Sequence, residues 1–116
     1  MSNVSPEEVL FEKISRAIDI CQEIHNDSRT PLEDAQALTP LIRNLLEYKR
    51  KLRASAFTAA GANTEYENAI SALGLLNNAV KAEIIAHEQT MGFIKNTADA
   101  VTAVLDLAIA VGAIAG

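Results

Sequence analysis

Few residues in this sequence are equipped for bond-making chemistry: two histidines and one cysteine among 116 residues. Glu83 and His87 stand four apart, a separation that on a helix brings a carboxylate and an imidazole to one side, where they could share a metal ion. Two-metal helical bundles instead place Glu-x-x-His on each of two helices, with further glutamates on the other two. Here the spacing differs and no second copy accompanies His25. The expectation is a histidine at the edge of a helical stripe beside a surface glutamate, with no metal and no cofactor.

Cys21 falls within an apolar stripe, where a nucleophile would lack both exposure and an activating base. The expected role is that of a small buried hydrophobe. No glycine-rich phosphate loop, G-x-S-x-G elbow or paired-carboxylate signature occurs in the sequence. The chain therefore reads as a non-enzymatic protein.

The sharpest polar feature is Glu47-Tyr48-Lys49-Arg50-Lys51-Leu52-Arg53, which with Arg43 gathers half of the ten basic residues. On a helix, Arg43, Lys49, Arg50 and Arg53 share one flank, where their stems can cover neighbouring apolar surface. These four are the candidate partner-binding residues. The preceding segment has the opposite bias, with Glu7, Glu8, Glu12, Asp19 and Glu23 against Lys13 and Arg16. Antiparallel pairing of the two segments would set acidic against basic flanks, fixing orientation more than adding stability.

Helical elements must position these residues. Aromatics make up only 4% of the chain and tryptophan is absent, a balance that favours closely packed helices over a sheet. Three stretches read as capping boxes: Ser5-Pro6-Glu7-Glu8, Thr30-Pro31-Leu32-Glu33 and Thr64-Glu65-Tyr66-Glu67. Behind them the apolar residues recur at helical spacing. Leu10, Ile14, Ala17, Cys21 and Ile24 form one stripe, and Leu38, Ile42, Leu45, Leu52 and Ala56 a second. Tyr66, Ile70, Leu73, Val80, Ile84 and Met91 form a third, predicted to run to about Met91 with Gly92 or Asn96 separating it from a fourth helix. Gly61 is the expected C-terminal cap of the second helix. Pro40, preceded by Thr39, predicts a split or strong kink there. The fold class that follows is all-α: an up-down antiparallel bundle of four helices, five if Pro40 splits the second, in one domain spanning 1–116.

The stretch Val101–Gly116 is nearly devoid of charge. Lys95, Asp99, Thr102 and Asp106 nevertheless fall on one helical side, and the wholly apolar part from Leu107 spans roughly 15 Å as helix, half of a bilayer core. It is expected to be ordered and buried. Small residues at Ala108, Gly112 and Gly116 permit close backbone approach, and Asn77 interrupts the third stripe in the way an amide that selects register does. These four are the candidate oligomer-packing residues.

The net charge of −5 argues against bulk affinity for nucleic acid. A lone cysteine and an N-terminal stretch without a basic region or apolar run point to the cytoplasm. The function expected is that of a small interaction or regulatory module acting through helix surfaces, with a protein partner and self-association. The alternative is a membrane-active oligomer whose segment 93–116 inserts into a bilayer, its Asp99 and Asp106 facing inward.

Overall fold

The computed structural model describes residues 4–86 and 88–115. The all-α expectation holds. Among the described residues five helices follow one another: α1 (Pro6–Asn26), α2 (Leu32–Ser55), α3 (Asn63–Asn77), α4 (Lys81–Ala86) and α5 (Thr90–Ala110), with a 3-10 turn at Ala59–Gly61. The fifth helix does not come from Pro40, which lies inside an unbroken α2. Proline there removes the donor that would meet the carbonyl of Gln36. Both residues are exposed, so the freed carbonyl is open to water and the helix continues.

The break falls instead in the third stripe. α3 stops at Asn77, with the N–H of Asn78 donating back to the carbonyl of Gly74 at 3.1 Å. Ile84 therefore reaches the core from the short α4, whereas Val80 is 51% exposed in the connection. Met91, expected to close the stripe, stands 79% exposed on the first turn of α5. Gly92 and Asn96 are interior to α5.

Only one of the three capping boxes operates. Ser5 Oγ accepts from the N–H of Glu8 at 3.2 Å, with Pro6 as the first helical residue. The Thr30 hydroxyl turns back and donates to the carbonyl of Ile24 at 2.5 Å, closing the end of α1 instead of opening α2. Thr64 lies inside α3, whose start has no side-chain cap. Gly61 sits in the 3-10 turn, and the left-handed residue ending α2 is Ala56, at φ 50°.

Hydrogen bonds between elements fix their directions. Arg53 reaches Glu8 while His25 meets Thr39, so α1 and α2 are antiparallel. Tyr66 donates to the carbonyl of Pro6 and Asn77 to that of Lys13, so α3 runs in the same sense as α1. Thr90 donates to Asp34, which starts α5 at the end where α2 starts. α1 packs against α2 and α3, and α5 against the same two, so the chain crosses diagonally between α2 and α3. Successive long helices alternate in sense, as expected, but α2 and α3 are not the neighbours that a simple hairpin would make them.

The core fills the space between these four helices. The whole first stripe and Leu38, Leu45, Leu52, Leu73, Leu76, Val104 and Leu107 are fully buried, and Phe11, Phe57 and Phe93 close the ends. α5 is amphipathic as expected: Lys95, Asp99, Thr102 and Asp106 face outward, while Phe93, Thr97, Ala100, Val104 and Leu107 face the core. Beyond Ala110 the chain turns back, the N–H of Ile114 reaching the carbonyl of Ala108 at 3.2 Å. Val111, Ala113 and Ile114 pack partly on the core, but Ile109 is 39% exposed, so this stretch is buried only in part. Among the described residues, no helix is long and apolar enough to cross a membrane.

Candidate interaction surface

Two lines of side chains meet where α1 lies beside α2. On α1, Phe11, Ile18 and His25 recur every seventh residue; on α2, Thr39, Leu46 and Arg53 do the same. A seven-residue step returns nearly to the same side of a helix, so each trio is one row. At one end of the seam the Arg53 guanidinium stands 4.2 Å above the Phe11 ring. At the other, His25 Nε2 lies 3.0 Å from Thr39 Oγ1, whose own hydroxyl donates to the carbonyl of Ala35 at 3.2 Å. Leu46 stands midway and is 47% exposed.

The basic flank surrounds that leucine. Arg43 and Lys49 lie one turn before and after it, Arg50 four residues on and Arg53 seven. Arg43, Arg50 and Arg53 are exposed and Lys49 is half-buried. Arg53 is engaged within the chain, 3.7 Å from Glu8. Among the described residues, Arg43, Lys49 and Arg50 form no ion pair. The four residues singled out by sequence thus do share one surface, but only Arg53 takes part in the expected charge pairing with α1. Leu46 is the member that sequence reasoning missed. Its signal is the doublet Leu45-Leu46, in which the second leucine falls outside the buried stripe and among arginines.

Across the seam α1 presents the opposite charge: Glu8, Glu12, Asp19 and Glu23 are all exposed. A shallow groove runs along the outer side of α1, lined by Glu12, Ser15, Arg16 and Asp19, with Arg53 of α2 at one edge and Ala79, just after α3, at the other. The surface therefore carries an acidic ridge and a basic ridge side by side, separated by Leu46.

The other sequence candidates are placed elsewhere. Asn77 Nδ2 donates to the carbonyl of Lys13 at 3.1 Å, tying α3 to α1, while its Oδ1 is buried with no partner among the described residues. Ala108 is fully buried inside the chain's own core. Gly112 is exposed at φ +79°, and a Cβ there would meet nothing within 4 Å. It ends α5: its own N–H donates to the carbonyl of Ile109 at 3.1 Å, and that of Ala113 to the carbonyl of Ala108 at 2.8 Å. This is the Schellman pattern, so the glycine serves a left-handed turn and not a close helix contact within the fold. Gly116 and His87 lie outside the described residues. Glu83 is exposed on α4, and no group of three or more possible metal ligands occurs among the described residues.

Cys21 sits at the centre of the core, its Sγ 3.7 Å from Thr97 Oγ1 on α5. Burial pushes its thiol up to about 11, partly offset by the hydrogen bond it shares with Thr97. Asp27, at the end of α1, accepts from the Arg29 side chain at 3.0 Å through each carboxylate oxygen and from the Arg29 N–H at 2.8 Å. The Arg29 guanidinium, then its backbone N–H, and more weakly Lys81 at 3.6 Å hold this carboxyl well below the usual carboxylate range. The cluster locks the α1–α2 turn against the start of α4.

No protein-family model, curated protein or solved structure matches this chain.

Proposed function

We propose that the protein is a non-catalytic helical interaction module that engages an acidic helical surface through α2. One observation carries this reading: an exposed leucine, Leu46, ringed by Arg43, Lys49, Arg50 and Arg53 at helical spacing. Binding surfaces combine an apolar anchor with charged groups at its rim, the anchor supplying affinity and the charges orientation and rate. Arginine is suited to the rim because its planar fork can hold a carboxylate by two parallel bonds. The ring charges lie on a rigid 24-residue helix backed by the core, so the patch costs little ordering on binding.

The burial of Phe93, Val101, Val104 and Leu107 supports a packing role for α5 in preference to a membrane-inserting one. Cys21, enclosed and with a raised thiol pKa, supports the non-catalytic reading.

The test places a photo-crosslinking amino acid at Leu46 in the protein expressed in its native cell type. The module reading expects discrete crosslinked bands that vanish when Arg43 and Arg50 are reversed to glutamate. Helicity of the reversed variant should match the parent. Absence of any band, or bands indifferent to the reversal, overturns it.

A further inference from the structure

We infer that the occupant of this surface is a second copy of the same chain, docked about a two-fold axis running along the α1–α2 seam. The inference rests on the interaction-module reading above and names its partner.

Charge and register carry it. The seam contacts Arg53–Phe11 and Thr39–His25 set the antiparallel register of the two helices. That register puts Arg50 level with Ile14 and Arg43 level with Cys21. Glu12 and Asp19 each stand two residues, about 3 Å along the helix, from the level of their arginine, within reach of its long side chain. These four charged residues are exposed, and none of them forms an ion pair with another across the seam. The ridges are thus matched along the helices to within one turn but do not pair across the seam.

A two-fold rotation about an axis parallel to the seam keeps each level and exchanges left for right. It therefore sets the acidic α1 of one copy over the basic α2 of the other. Arg50 meets Glu12 of the second copy and Arg43 meets Asp19 of the second copy. Because the interface is isologous, each contact occurs twice. The two copies of Leu46 come together beside the axis, where each loses its exposure to water. A two-fold axis perpendicular to the helices, by contrast, would set acid over acid and base over base. The charge pattern thus selects one docking geometry as well as one partner.

Such pairing also accounts for a chain that is acidic overall yet concentrates its basic residues on one helix. The basic ridge is positioned to meet the acidic ridge that the same sequence supplies within one helical turn of the same levels.

The test is a charge swap read by light-scattering mass at moderate salt. The parent is expected to show twice the mass of one chain, falling toward a single-chain mass on dilution and at high salt as the charges are screened. R43E/R50E and E12R/D19R each set like charges together at every pair, and each alone is expected to run as a single chain. Mixed in equal amounts they restore opposite charges at all four pairs, and the mixture is expected to recover the double mass. Recovery also shows that neither variant is misfolded. A parent that stays a single chain at every concentration overturns the inference, as does a mixture that fails to associate while both variants retain the parent's helicity. The Leu46 crosslink separates the two readings. A band to a different protein, with a monomeric parent, leaves the module reading standing and removes self-docking, whereas no band removes both.

Discussion

Arg53 stands over the Phe11 ring at 4.2 Å while reaching Glu8 at 3.7 Å, so one side chain joins α2 to α1 by two different forces. The ion pair is more than half exposed at both ends and contributes little. The stack on a buried ring is the more durable part, worth about 0.5–1 kcal/mol at a site of this exposure. Arg53→Ala is expected to lower stability by about 1 kcal/mol, and Glu8→Ala by less. Urea unfolding at low and high salt checks this. The Arg53 effect should persist in salt, whereas the Glu8 effect should fade. Equal effects from both substitutions would remove the stacking argument.

A second prediction concerns Cys21 and alkaline pH. The folded thiol ionises only near 11, while in the unfolded chain it ionises in its ordinary range near 8.5. Above that range the unfolded state gains by releasing the proton and the folded state does not. The thiol's contribution is fully present below the ordinary value and is lost as pH rises toward 11. Between these limits the parent should lose stability faster than Cys21→Ala, by up to about 1.4 kcal/mol per pH unit. Urea midpoints at pH 7, 8, 9 and 10 measure the difference, and parallel curves for the two proteins would defeat it.

What the sequence made legible was the pattern that depends on local spacing. All five residues of the first stripe are fully buried, because a 21-residue amphipathic helix has only one way to hide Leu10, Ile14, Ala17, Cys21 and Ile24 together. The capping signals at Thr30 and Thr64 failed because a hydroxyl serves whichever unsatisfied group the fold brings near. Thr30 answers the end of α1 and not the start of α2. The break after α3 carries no proline or glycine; its only mark is the doublet Asn77-Asn78, whose amides favour turns over helix interiors. On the surface, the basic ring was legible because charge repeats at helical spacing. Its match with Glu12 and Asp19 was not, because that depends on the register set by Arg53 and His25.

Pro40 gives a third prediction. It is exposed, inside α2, and opposite the carbonyl of Gln36, which has no backbone donor. Alanine at this position restores the bond and removes the clash of the ring with the preceding turn. Pro40→Ala is expected to raise stability by about 1–3 kcal/mol, the upper value being the full penalty of proline in a helix interior. Thermal melting followed by circular dichroism reads this as a higher midpoint. An unchanged or lowered midpoint would mean that α2 is shaped around its proline.

The last prediction pairs two left-handed helix ends. α2 ends on Ala56 at φ 50° and α5 is followed by Gly112 at φ +79°. A side chain in this conformation crowds the following carbonyl, at a cost of about 1 kcal/mol, which glycine escapes. Ala56→Gly should therefore stabilise and Gly112→Ala destabilise, each by about 1 kcal/mol. At Gly112 the cost comes from the backbone alone, because a Cβ there meets nothing within 4 Å. Gly112→Leu should then cost about as much as Gly112→Ala, since the larger side chain extends into open space. Close helix packing at this glycine would give the opposite result, with leucine far more damaging than alanine. Melting midpoints of the three variants decide the matter, provided they are taken at a chain concentration where the parent and variants have the same mass. A leucine variant several kcal/mol below the alanine variant would return Gly112 to a packed interface.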